Sequence, residues 1–183
     1  MDLSELLIII SSENRKKRNP PLGKTKLLKL AYLVELYYKR ITRNRLTNTE
    51  WIYFLYGPWT EEYEDVLKKY PFTIEKKSGI EKKEQEPVLL DDEFRYKSEN
   101  SFDFNTALNN VLTKFLSKSL NDILEYVYFD TEPMLNAKNR KEILSWDVVQ
   151  DSSYFRIKEL HVDKKIKNEV EKKLFEKKRL LNG

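Results

Sequence analysis

Lys24-Thr25-Lys26-Leu27-Leu28-Lys29-Leu30-Ala31-Tyr32-Leu33-Val34-Glu35-Leu36-Tyr37-Tyr38-Lys39-Arg40-Ile41 is the stretch that organises the rest of the chain. Leu27, Leu28, Leu30, Ala31, Leu33, Val34, Leu36, Tyr37 and Ile41 recur at intervals of three and four. Lys24, Lys26, Lys29, Glu35, Lys39 and Arg40 take the other face. That period predicts an amphipathic helix, and its apolar arc is broad enough to lay the helix across the core.

Working outward, residues 2–13 read as a first helix. Apolar side chains stand at 3, 6, 7 and 10, and acidic ones at 2 and 5, where a helix N-terminus favours negative charge. The basic loop Arg15-Lys16-Lys17-Arg18 and Pro20-Pro21 end it. Downstream, Trp51-Ile52-Tyr53-Phe54-Leu55-Tyr56 has the composition of a strand, with Gly57-Pro58 as its stop. A helix is expected over Trp59 to Tyr70, opened by Glu61, Glu62, Glu64 and Asp65 and stopped by Pro71. Two strands, Phe72 to Lys77 and Val88 through Tyr96, flank Ser78-Gly79 and a charged connection that reads as a surface loop. Helices return at residues 102–116 and 120–128, the second with Ser119 as N-cap and Asp122 in its first turn. A basic tail follows, with the narrow seam Ile166, Val170, Leu174 and Phe175.

The fold class expected is α+β, mostly α: a helical domain with a small antiparallel β-sheet. The domain is expected to occupy residues 1–160, with a loop-rich β insertion at about 72–100. Residues 161–183 are expected to form a basic helix that docks on the domain, on a partner or on a second copy of the chain.

Composition excludes much chemistry. In 183 residues there is no cysteine and one histidine, His161, so disulfides, thiol catalysis, iron–sulfur clusters and paired-histidine metal sites are ruled out. Four glycines, at 23, 57, 79 and 183, leave no glycine-rich phosphate loop. His161 lies between Leu160 and Val162 and reads as a packed or surface residue. Glu61 and Asp65 would share a helical face at i, i+4 as metal ligands can, but the cluster reads better as a solvated helix start, and Asp91-Asp92-Glu93 as a turn. No cofactor or metal is expected, and the chain reads as a non-enzyme. The apolar run Leu6 to Ile10 is far too short to span a membrane, and the acidic start is unlike a secretory leader. The expectation is therefore a soluble, cytoplasmic protein.

The net charge of +4 is unevenly spread. Residues 1–50 hold 11 Lys+Arg against 5 Asp+Glu, residues 51–160 hold 15 against 21, and residues 161–183 hold 8 against 4. The basic segments 15–18 and 39–45 suit either phosphate contact or a solvated surface. Eleven tyrosines, many inside apolar segments, suit an aromatic core or an interface.

Three patterns together go beyond composition: Lys24-Thr25-Lys26-Leu27-Leu28-Lys29-Leu30-Ala31-Tyr32-Leu33, then Trp51 to Pro58 closing in Tyr56-Gly57-Pro58, then Tyr128-Phe129-Asp130-Thr131-Glu132-Pro133-Met134. In this order and spacing, over about residues 4–150, the chain resembles the Panacea domain, the SocA-like antitoxin family. The resemblance implies an antitoxin-type protein that neutralises a cognate toxin by direct binding, in one branch as an adaptor delivering the toxin to an AAA+ protease. On this reading Lys24, Leu27, Leu30, Tyr32, Gly57, Pro58 and Pro133 maintain the motif's structure. Trp51, Tyr53, Tyr56, Trp59, Thr131, Glu132 and Met134 are the candidate partner contacts. Thr131 is expected to cap a short helix over Glu132 to Ala137. The alternative is a nucleic-acid-binding regulator of a phage or mobile-element operon, motivated by the pI of about 9.0.

Overall fold

A computed structural model describes residues 1–69, 71–75, 86–91, 93–94 and 101–150. The chain divides into two units, Met1–Val149 and Gln150–Gly183. His161 and the helix expected over residues 161–183 lie outside the described residues, as does most of the charged connection between the two expected strands.

The described part is mostly α with small antiparallel sheets. Its helices are α1 (Leu3–Lys16), α2 (Lys24–Thr42), α3 (Glu62–Leu67), α4 (Phe102–Phe115), α5 (Leu120–Asp130) and α6 (Glu132–Asn136). Its strands are β1 (Leu22–Gly23), β2 (Ile52–Phe54), β3 (Gly57–Trp59), β4 (Phe72–Ile74) and β5 (Pro87–Leu90). Helix α2 is the centre, in contact with α1, α4, α5 and three of the strands.

Local chemistry sets the boundaries. Asp2 and Glu5 form a reciprocal capping box at the start of α1, and Ser119 and Asp122 form another at α5. Ser101 caps α4 by accepting from the Phe104 amide. Arg43, at φ 64°, ends α2 in a left-handed turn, with Lys39 and Arg40 near the negative end of the helix dipole.

Four expectations are corrected. The strand of 51–56 is only β2, and Gly57-Pro58 does not stop it but begins the returning strand β3. The register is Ile52 opposite Trp59, Tyr53 opposite Pro58 and Phe54 opposite Gly57, so Leu55-Tyr56 is a two-residue hairpin tip. Because Trp59 belongs to β3, α3 begins three residues later than expected, at Glu62. Strand β1 was not anticipated. It pairs with β5 to give the order β1-β5-β4, and Pro20-Pro21, which lack N–H groups, prevent its extension backwards.

The fourth correction concerns the polar face of α2. Lys29, Glu35 and Arg40, expected in solvent, are buried at 2%, 0% and 7% exposure. Residues 27–36 and Arg40 are covered by other elements, so the polar residues among them meet protein groups instead of water.

Candidate functional site

Each buried charge on α2 ties down a segment near the hairpin. The Glu35 carboxylate accepts from Trp51 Nε1 at 2.8 Å, from the Thr47 hydroxyl at 2.7 Å and from the Arg45 guanidinium. The irregular chain between α2 and β2 is thereby wrapped around one anion. Lys29 Nζ donates to the Pro58 carbonyl at 2.6 Å, fixing β3 to α2. Arg40 forks onto Glu132, with NH2 to Oε2 at 2.6 Å, and also reaches Tyr126 and the Asp130 carbonyl. Burial alone would lower the Arg40 pKa, but hydrogen bonding and the charge of Glu132 outweigh it and hold it above the ordinary value.

The hairpin itself is held by Tyr128. Its hydroxyl accepts from the Gly57 amide at 2.7 Å and lies within donating distance of the carbonyls of Leu55, at 2.9 Å, and Phe54, at 3.3 Å. Burial pushes the Tyr128 pKa up, partly opposed by the Gly57 amide, so the hydroxyl stays a neutral donor and acceptor. Gly57 has φ +83°, and a Cβ there would approach Val127 of α5 at 3.3 Å. Only glycine satisfies both the turn and that close approach. On its other side β2 meets residues 141–144: the Tyr53 amide donates to the Glu142 carbonyl at 2.8 Å and the Leu144 amide to the Trp51 carbonyl at 2.8 Å.

This scaffold presents Leu55 and Tyr56 at about half exposure, 49% and 47%. Phe54 and Trp59, tilted against each other with ring centroids 5.4 Å apart, form a ridge at the margin of two recesses. One recess, of about 230 Å³, is bounded by Lys24, Lys29, Tyr56, Tyr63 and Glu64. The other, of about 770 Å³, is bounded by Glu50, Glu61, Glu62, Lys141 and the exposed Ile143.

The candidate contacts therefore separate. Tyr53, Tyr56 and Trp59 reach this face, with Tyr53 half-buried edge-to-face against Tyr128. Trp51 does not: it is fully buried, bonded to Glu35 and set edge-on to Tyr32. Thr131 is also buried, and α6 has no side-chain cap from it. Its hydroxyl donates instead to the Val127 carbonyl and accepts from the Tyr32 hydroxyl at 3.1 Å, which fastens α5 to α2. Glu132 is committed to Arg40, and Met134 is in the core.

Of the structural residues, Leu27, Leu30 and Tyr32 are fully buried. Burial, opposed by the bond to Thr131, pushes the Tyr32 pKa up. Lys24 pairs with Glu64, and Pro133 sits in the first turn of α6. Leu55 and Ile143 escaped sequence reasoning. Both are apolar residues that periodicity assigns to the interior, and only the hairpin turn and the 141–144 pairing turn them outward.

Among the described residues no three His, Asp or Glu side chains gather as a metal site. Asp65 pairs with Lys68, and the Asp91 carboxylate accepts from the Glu93 amide. No described helix is long and apolar enough to cross a membrane. Comparison with protein-family models, with curated proteins and with solved structures finds no match.

Proposed function

We propose that this protein works by contact with a protein partner, as an antitoxin-like neutraliser of a cognate toxin, with the β2–β3 hairpin and its two recesses as the contact face. One observation carries the reading: Leu55 and Tyr56 stand exposed on a turn that Tyr128, Lys29 and Gly57 hold in place. An aromatic and aliphatic anchor beside recesses rimmed by charged groups is an arrangement that can dominate protein–protein affinity, and a rigid presentation lowers the ordering entropy lost on binding. The class of partner comes from the Panacea-domain resemblance. Delivery of the toxin to an AAA+ protease is the finer form of the same proposal.

The nucleic-acid alternative has less support. Arg15 donates to the carbonyls of Asp91 and Phe94, Lys26 to those of Leu116 and Lys118, Lys24 pairs with Glu64, Arg40 with Glu132 and Arg45 with Glu35. Much of the basic excess of the first 50 residues is thus bound within the fold rather than displayed to phosphates.

The test is co-expression with the product of the neighbouring gene. The expected result is rescue from toxicity and co-purification. A Tyr56→Ala, Leu55→Ser double variant should abolish both while retaining the wild-type melting temperature. Rescue that persists in the double variant would remove the hairpin as the contact face, and a neighbour that is neither toxic nor co-purified would remove the antitoxin reading.

A further inference from the structure

A third recess lies away from the hairpin, between α1 and the β1–β5 edge, with a volume of about 190 Å³. Ser11 and Asn14, three residues apart on one face of α1, line it, and both are more than nine-tenths buried, at 8% and 4% exposure. The Ser11 hydroxyl and the Asn14 Oδ1 have no hydrogen-bond partner in the protein. Buried polar atoms are rarely left in this state unless something occupies the space before them.

The opposite wall explains what that something needs. The Asp91 amide donates to the Pro71 carbonyl and the Glu75 amide to the Pro87 carbonyl, so the odd-numbered residues of β5 turn their backbone toward β4. By the alternation of an antiparallel ladder, Val88 and Leu90 turn theirs toward β1. Leu22 pairs with Val88, and there β1 stops, because Pro21 precedes it and Asn14 Nδ2 holds the Pro20 carbonyl at 2.9 Å. The Leu90 amide therefore faces the pocket, across from the Asn14 Oδ1 acceptor and the Ser11 hydroxyl. Leu22, Val88 and Leu89 supply apolar lining.

Charge selects the ligand. Among the described residues of the wall there is a guanidinium, Arg15, and no carboxylate, so an ammonium finds no counter-charge among them. A carboxylate would find the Arg15 N–H groups directed at the carbonyls of Asp91 and Phe94, at 2.8 Å each, and would meet the Asn14 oxygen besides. A neutral group that carries both donors and an acceptor can meet the Asn14 oxygen, the Ser11 hydroxyl, which donates as well as accepts, and the Leu90 amide. We propose that this pocket binds a small neutral primary carboxamide, whose NH2 donates to Ser11 Oγ and Asn14 Oδ1, whose carbonyl accepts from Leu90 N–H, and whose short alkyl part rests on Leu22 and Val88. The pocket is smaller than those that hold drug-sized molecules, so the ligand is limited to a few heavy atoms. The site is independent of the toxin-binding proposal.

The experiment is a titration of the full chain with propionamide, followed in amide proton–nitrogen spectra, with propionate and propylammonium as isosteric controls. Saturable shifts at residues 11–14, 19, 22 and 88–90 are expected in the millimolar range that so small a ligand permits, with both controls at least about tenfold weaker. Ser11→Ala should keep its melting temperature, because the hydroxyl bonds nothing in the protein, and should weaken propionamide at least about fivefold. Asn14→Asp should reverse the preference toward propylammonium. The proposal is overturned by an absence of saturable shifts, by equal responses to the three compounds, by Ser11→Ala binding as the parent does, or by water in the pocket that propionamide fails to displace.

Discussion

Helices α1 and α2 both bury polar side chains, and they treat them in opposite ways. On α2, Lys29, Glu35 and Arg40 each meet groups of the complementary kind: a carbonyl for the ammonium, three donors for the carboxylate, and a carboxylate with a carbonyl for the guanidinium. On α1, the hydroxyls of Ser11 and Ser12 and the Asn14 Oδ1 meet nothing. The difference follows from what each group loses on leaving water. An uncompensated buried charge would be prohibitive, so a sequence that buries one must also build its partners, whereas a neutral hydroxyl can be left open at modest cost. The α2 charges thus hold the fold and position the hairpin, and the α1 groups remain available to a ligand.

The comparison can be broken most violently at Glu35. Glu35→Ala removes the common acceptor of Arg45, Thr47 and Trp51 and leaves their donors inside the protein. Stability measured by chemical denaturation should fall by about 3–5 kcal/mol, if the variant folds at all. A loss below about 1 kcal/mol would show that water replaces the carboxylate and that the wiring is dispensable.

Next is the Arg40–Glu132 pair, which joins α2 to α6. Arg40→Met and Glu132→Gln should each destabilise by about 2–3 kcal/mol, and the double variant by clearly less than their sum, with a coupling of about 1–3 kcal/mol in a double-mutant cycle. Additive losses would mean the two side chains act separately.

Alkaline pH acts on the phenols packed around α2. Burial pushes the pKa of Tyr32, Tyr37 and Tyr63 above the ordinary value of 10.0. The unfolded chain therefore releases these protons at a lower pH than the folded one, and folding stability, fully present below about 10, declines as pH rises beyond it. Denaturation midpoints followed from pH 8 to about 12 should fall only in the upper half of that range. Tyr63→Phe, which trades the bond to the Lys24 carbonyl for freedom from ionisation, should flatten the decline.

The smallest effect is expected on α1. Ser11→Ala and Ser12→Ala should each leave stability within about 0.5 kcal/mol of the parent. A loss comparable to that of the α2 variants would place both residues in the same structural wiring and erase the contrast.

Much of this could be read before any coordinates. The span of α2 follows from intervals of three and four, α5 from Ser119, Asp122 and the apolar residues behind them, and the start of α1 from Asp2 and Glu5. The reading failed where periodicity stops carrying information. A strand of two residues, Leu22–Gly23, has no period. A six-residue apolar run cannot announce that its last two residues are a turn, or that Gly57-Pro58 opens the return strand. Polar residues on a helix are assigned to water by default, which misplaced Lys29, Glu35 and Arg40. Composition alone could not distinguish Trp51, sealed against Glu35, from Tyr56, held half in solvent.

The sequence by itself determined the main helices, with the caps of α1 and α5, the mostly α class and the lack of cysteine and of a histidine pair. These depend on neighbours within a turn or two along the chain, and such neighbours are written next to each other. Tertiary structure alone decided which side chains are available. Whether a lysine or a tryptophan meets water, a carbonyl or a partner depends on residues 12 to 100 positions away, such as Thr47 for Glu35, Pro58 for Lys29 and Glu132 for Arg40. The same distant packing turned Leu55 and Tyr56 outward and left Ser11 and Asn14 facing an open strand edge.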